Sequence, residues 1–354
     1  VTELPAQSFT RQWSLDLFPQ GQGTVEWVRT AGDFLIAFTS ERRAYVIDKN
    51  SGRLITIHEI QNPGEVLAPF TNGKVIAYPV STNIELFDLT GARLRSINLG
   101  VAVQSTGVMS DTTIYIAVSG SNGGRMRAVD PKRTYDTPKW EVMAFGPVTA
   151  APIFFDQTLF FANNMGKVFA VNESRSPVWA LEGSSFQAGP VLADLKADEY
   201  GLYVASTDSK LLCLNRLSGK IRWQYFAGEA LEKAAIPLGD LVYLPVPNQG
   251  LVAIPRTEGD YTRKPKWTSR ESTMLLAEDS RFVYTRLRGN SIGALDKAAG
   301  TVVFRSPRSD LDFFVTNTGK DGLVLAGTRK GYIVAIKPVT RPGTVGELMF
   351  TSEK

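Results

Sequence analysis

The chain holds one cysteine and one histidine, so thiolate, imidazole or triad chemistry would have to run through Cys213 or His58. Cys213 stands in LLCLNRLSGKIRW, residues 211–223, beside charged residues. A reactive thiol needs an exposed, electropositive setting. One cysteine also excludes an intramolecular disulfide and any multi-cysteine zinc site. His58 lies in ITIHEI, which reads as an outer strand far from any central cleft, and is expected to be a partly exposed strand residue. The glycine-rich stretches Gly21-Gln22-Gly23 and Gly120-Ser121-Asn122-Gly123-Gly124 lack the phosphate-loop pattern and its following helix, and read as loops. Asp310 and Asp312 are the nearest thing to a calcium pair, and two acids in an exposed loop read as solvated. No catalytic residue, cofactor-binding residue or metal ligand is assigned.

The basic residues are less evenly spread. Arg42, Arg43, Arg125, Lys167, Lys210, Arg288, Arg329 and Lys330 fall in or beside turns ahead of a recurring anchor position, with Arg286 close by. Only Glu41 and Asp208 oppose them there. If these turns share one face, they form a candidate basic binding face for an anionic partner. Against it stand Glu65, Glu229, Glu232, Glu271, Asp310 and Asp312 in neighbouring loops, and hairpin tips carry Lys and Arg for solubility alone.

The elements that hold these residues are repeats. AYVID ends at Asp48, IELFD at Asp88, MRAVD at Asp130, VFAVN at Asn172, LLCLN at Asn215, LVAIP at Pro255, IGALD at Asp296 and IVAIK at Lys337. The gaps are 40, 42, 42, 43, 40, 41 and 41 residues, the period of a repeat architecture. The residue before each anchor is large and apolar. Two before it stand Val46, Leu86, Ala128, Ala170, Cys213, Ala253, Ala294 and Ala335, mostly a small-residue slot. Cys213 therefore reads as a buried small hydrophobe. Asn and Gly turns, such as Asn164-Met165-Gly166 and Gly289-Asn290, separate each anchor strand from the strand before it. A second turn after the anchor leads to an outer strand opened by Trp140, Trp179, Trp223, Trp267 or Phe304. With one more strand ahead of each hairpin, four antiparallel strands repeat eight times. The expected fold is all-β, an eight-bladed β-propeller.

The expected domain organisation is one propeller domain over residues 1–354. RQWSLDL, residues 11–17, matches the outer-strand pattern with no unit before it, so residues 9–17 are expected to complete the last blade. The tail, residues 343–354, contains the competing segment GELMF (346–350), and the N-terminal strand is favoured. No apolar run is long enough for a transmembrane helix. The net charge of +4 and pI near 9.0 admit an anionic partner without calling for nucleic acid. The chain starts Val1-Thr2-Glu3 without a methionine, which reads as a processed or trimmed N-terminus, a removed signal peptide being one explanation and the one expected for an envelope location.

The pattern A-[VIL]-[DN]-x-x-[ST]-G-x-[IV]-x-W resembles the PQQ-like repeat of quinoprotein-type propellers. CLNRLSGKIRW and GALDKAAGTVVF carry it best, with RAVD and FAVN. WD40 repeats fit poorly, since no blade ends in Trp-Asp. Length and blade count are most similar to the BamB family of outer-membrane assembly lipoproteins. That resemblance implies a non-catalytic scaffold in the periplasm or cell envelope, monomeric, without cofactor, binding a protein partner such as an envelope assembly component. It leaves open a quinoprotein-like enzyme with a cofactor in the axial funnel, and a small-ligand or glycan-binding propeller. The chain departs from the pattern in lacking adjacent cysteines, in Pro255 and Lys337 at two anchors, and in having no outer Trp in the first two repeats.

Overall fold

A computed structural model describes residues 7–19, 23–121, 123–135, 137–180, 189–307, 309–319 and 321–340. Gly21, Gln22, Asn122 and the tail segment 346–350 lie outside them. Among the described residues the chain forms eight four-stranded sheets, numbered here as blades 1 to 8. The fold class read from the repeat is the one observed. Each anchor closes the third strand of its blade: Arg43–Asp48, Asn83–Asp88, Gly123–Val129, Val168–Asn172, Lys210–Leu214, Gly250–Pro255, Ser291–Asp296 and Tyr332–Thr340. In blades 3 and 5 the anchors Asp130 and Asn215 fall one residue past those bounds, and in blade 8 Lys337 falls within them.

The anchors are turn-makers. Asp48 Oδ1 accepts the backbone N–H groups of Asn50 and Ser51 at 3.1 and 2.7 Å. Asn215 Oδ1 does the same for Leu217 and Ser218 at 2.9 and 3.1 Å. Asp296 repeats it with Ala298 and Ala299. A short polar side chain can satisfy these donors only from the first position of the turn, which explains Asp or Asn there. The Ser51 N–H is the largest of the contacts holding the Asp48 carboxyl below its usual value.

The last blade takes its fourth strand from the other end of the chain. Gln7–Asp16 pairs antiparallel with Tyr332–Thr340, from Gln7 opposite Thr340 to Asp16 opposite Tyr332. Leu17 and Val25 bond backbone to backbone with Gly331 and Arg329 just beyond that strand. Two chain ends held by a ladder leave no unpaired edge between them.

The chain divides into two compact units. One, Val1–Glu59 with Asn248–Val252 and Lys266–Lys354, holds blades 7, 8 and 1; the other, Ile60–Pro247 with Ala253–Pro265, holds blades 2 to 5. Within each unit the core lies between consecutive blades. Leu35, Ala37 and Ile47 of blade 1 pack with Leu325, Ile333 and Ala335 of blade 8. Phe160 and Ala170 of blade 4 pack with Val204 and Leu212 of blade 5. Within a unit, a blade buries its faces against its neighbour, as in other repeat architectures.

Candidate functional site

The small-residue column has a packing cause. Ala128 stands directly between Tyr115 and Trp140 on the flanking strands of blade 3. Those two rings meet with centroids 5.7 Å apart. Ala170 lies likewise between Phe160 and Trp179, and Cys213 between Tyr203 and Trp223, with ring separations of 5.9 and 6.1 Å. A large central side chain would wedge each ring pair apart, so the middle strand carries Ala or Cys. Blades 1 and 2 have no outer Trp, and there the slot holds Val46 and Leu86. Volume moves from the outer ring to the central residue.

Cys213 is fully buried, as expected, and burial pushes its thiol up to about 12. A side chain at Gly201 would collide with its sulfur. His58 corrects the expectation of partial exposure: it is fully buried, in register with the small Ala44 of the neighbouring strand. The Asp312 carboxylate accepts the backbone N–H of Arg329 at 2.7 Å and caps a turn. Among the described residues no group of three or more His, Cys, Asp or Glu side chains is placed to hold a metal ion.

The tryptophans reach across blades. The indole N–H donates to a backbone carbonyl one residue past the next blade's anchor in five cases. Trp13 reaches Lys49, Trp140 Glu173, Trp179 Arg216, Trp223 Arg256 and Trp267 Lys297, at 2.6 to 3.2 Å. In blade 2, Arg95 stands where the others have Trp and donates to the Lys132 carbonyl. Blade 6 has Pro255 as its anchor, and the next residue, Arg256, bonds back to blade 5. Its guanidinium pairs with Asp198 at 3.0 Å and Glu199 at 3.3 Å, and Asp198 also accepts the Tyr203 hydroxyl at 3.0 Å.

The candidate basic residues divide by what holds them. Arg43, Arg125, Lys210 and Arg286 lie in strands, the ladders running further toward the hairpin tips than the turn residues suggested. Arg42, Lys167, Arg288, Arg329 and Lys330 lie in the turns between second and third strands. Carboxylates partner several of them: Arg43 pairs with Glu59 at 3.2 Å, Arg125 with Glu141 at 2.7 Å and Lys210 with Asp208 at 2.7 Å. Arg286 bonds Asn290 at 3.1 Å and lies over Phe314, and Arg288 donates to the Arg270 carbonyl at 3.1 Å. Arg329 lies over the ring of Phe313, while Lys330 is exposed at its tip. Arg42 has a positive φ of 60° and is half-buried. The structure thus gathers Arg42, Arg43, Arg286, Arg288, Arg329 and Lys330 into the unit of blades 7, 8 and 1, and Arg125, Lys167 and Lys210 into the other.

Sequence reading passed over Phe145 and Met165. Both are large, apolar and more than half exposed, at 51% and 56%. No local pattern marks them, since each continues an unremarkable strand end or turn.

A family model described as outer membrane protein assembly factor BamB matches residues 80–306, more than half of the chain. No curated protein matches it by sequence. Among solved structures, BamB from Moraxella catarrhalis is 16% identical, with a TM-score of 0.68 over 93% of this chain and 98% of that one. The computationally designed Ika8 protein is 15% identical, with a TM-score of 0.64 over 90% and 97%. The C-terminal WD40 domain of Sif2 is 12% identical, with a TM-score of 0.67 over 96% and 100%. At such identities the likeness speaks for the propeller fold, which a WD40 domain shares without sharing the repeat sequence.

Proposed function

Because this chain belongs to the family of outer membrane protein assembly factor BamB, we propose that it is a non-catalytic protein-binding scaffold of the periplasm or cell envelope that serves outer-membrane protein assembly. The observation that carries this reading is where its chemically capable side chains have gone. Cys213 and His58 are sealed in strands, and the buried tyrosines Tyr203 and Tyr284 hold carboxylates at blade turns. Burial raises both hydroxyls well above their ordinary value, so they serve as donors rather than bases. The repeat spends its polar chemistry on joining blades, and loops remain to do the binding.

The basic hairpins of blades 7, 8 and 1 fit an anionic surface on that partner. Arg43 is paired with Glu59, and the five remaining candidate cations of that unit contribute to one potential, since rim charges mainly steer association. The test is kinetic. Arg42, Arg43, Arg288, Arg329 and Lys330 are changed together to Gln, and binding to the purified assembly machinery of the same organism is followed at several salt concentrations. Slower association with a flatter salt dependence is expected, at unchanged stability. Equal association at low salt removes the basic hairpins from the interface. Adding PQQ with Ca²⁺ in a calorimeter tests the enzyme alternative, and saturable heat there would overturn the scaffold reading.

A further inference from the structure

In blades 2 and 4 a short turn, residues 89–92 and 173–176, joins the third strand to the outer one. In blades 3 and 6 the same connection runs through residues 130–139 and 256–266. A hairpin turns within a few residues, so the extra length has another use.

Each long connection lies along the outer strand of the preceding blade. Asn98, in the strand Arg93–Asn98 of blade 2, donates its N–H to the Thr134 carbonyl at 3.2 Å and pairs in parallel with Tyr135. Arg95 of that strand donates to the Lys132 carbonyl. Gln224, in the strand Ile221–Phe226 of blade 5, donates its N–H to the Tyr261 carbonyl at 2.9 Å, and its own carbonyl accepts the Arg263 N–H at 2.7 Å. Gln224 and Thr262 form a second parallel pairing. Both connections are straps that add a fifth segment to the outer edge of an antiparallel blade.

Apolar burial does not explain them, since Tyr135 and Tyr261 remain 77% and 52% exposed. The inward residue of the second strap is Arg263, 5% exposed, with its guanidinium 5.4 Å from the centre of the Trp223 ring. Shelter for the indole is no reason either: Trp140, beside the short connection 173–176, is already down to 9%. Arg263 donates from Nη1 to the Asp260 carbonyl at 3.0 Å and from Nη2 to the Thr257 carbonyl at 3.1 Å. Its Nε has no hydrogen-bond partner among the described residues. Gly259, with a φ of +114°, lets the strap wrap the guanidinium, because a Cβ there would come within 2.7 Å of Nη1. A buried guanidinium is costly as mere filling. What this one does is fix the path of the strap, through two of its carbonyls and the N–H that meets Gln224.

We propose that residues 256–265 guard the outer edge of blade 5, and that Arg263 is the positioning residue that holds them there. The strand excluded is Ile221–Phe226 of a second copy of this chain. An edge with outward N–H and C=O groups is a template for pairing, and the same edge on two copies meets in a symmetric antiparallel ladder. With Gln224 opposite its own counterpart, Arg222 would face Phe226 rather than another arginine, so charge does not forbid that ladder. Phe226, 49% exposed, would gain a partner in it.

The experiment uses the whole chain in two variants. One is Arg263→Met; in the other, residues 256–265 give way to Glu-Ser-Arg-Ser-Pro, residues 173–177 of blade 4. Hydrogen exchange at the Gln224 amide should rise about a hundredfold in Arg263→Met, the effect of releasing a strap held by a few hydrogen bonds, while the Leu212 amide of the neighbouring strand stays protected. Light scattering after size exclusion should show that the strapless chain gains a dimer, absent from the wild type, that grows with concentration. Adding Gln224→Pro removes the outward N–H and should abolish that dimer. Unchanged exchange at Gln224, a strapless chain that gains no dimer, or a dimer indifferent to Gln224→Pro each overturns the proposal. So does equal loss of protection at Leu212 and Gln224 in Arg263→Met, which would make Arg263 part of the core.

Discussion

Trp179 rests on Gly219. The glycine has a φ of +71°, a Cβ there would come within 2.9 Å of the indole, and the indole N–H donates to the Arg216 carbonyl at 2.6 Å. Trp13 covers Gly52 and Trp267 covers Gly300 in the same way. The Gly and the Trp of the repeat motif thus belong to one contact, and it lies between blades rather than within one.

Gly219→Ala should therefore lose about 3 kcal/mol, combining the positive-φ cost with displacement of the Trp179 ring. Gly73→Ala is the control, since Gly73 has a φ of +86° and a methyl group there would meet nothing within 4 Å. It should lose about 1 kcal/mol. Urea midpoints measure both, and equal losses would show that the indole yields without cost.

Removing residues 1–17 should lower the thermal midpoint sharply. It strips the ladder from Tyr332–Thr340, empties the place of Phe9 in the core of blades 7 and 8, and removes the Trp13 bond to Lys49. Removing residues 343–354 should cost much less. The opposite order in differential scanning calorimetry would contradict closure by the N-terminal strand.

Cys213→Ala should cost about 1 kcal/mol or less, because alanine fills the same slot in sibling blades. The native thiol should resist a disulfide reagent at pH 8 and react once urea unfolds the chain. Its folded value of about 12 lies above the ordinary 9.0, so the folded state keeps a proton that the unfolded state releases. The corresponding stability is fully present below pH 9 and is lost as pH rises toward 12. Cys213→Ala should flatten that alkaline loss.

Glu141 has the opposite sign. Burial pushes its carboxyl up, but the Arg127 and Arg125 guanidiniums outweigh it and hold the value below 4.5. Stability from this cluster is present above pH 4.5 and is lost as pH falls through the lowered folded value. Glu141→Gln should lose about 2 kcal/mol at about pH 7, the range for hydrogen bonds to charged groups, and much less at about pH 3. Equal losses at both would mean that the charge contributes nothing.

The repeat determined much by itself. Its period placed the eight third strands, its Asp and Asn anchors placed the turns that their side chains close, and its small column placed Cys213 in the interior. All of these are consequences of residues within a few positions of one another, where strand alternation and turn chemistry operate. Only the tertiary structure decided what lies across a blade boundary. Trp140 and Trp179 bond carbonyls 33 and 37 residues away, and Asn163 holds Ala144 from 19 residues away. His58 is fully buried opposite Ala44, and Arg43 and Arg125 met carboxylates of the adjoining strand that their sequence neighbourhood did not announce as partners. The exposure of Phe145 came from the same source. A positive φ at a phenylalanine has no local cause and is held by contacts from two other hairpins, which exist only once the blades have packed.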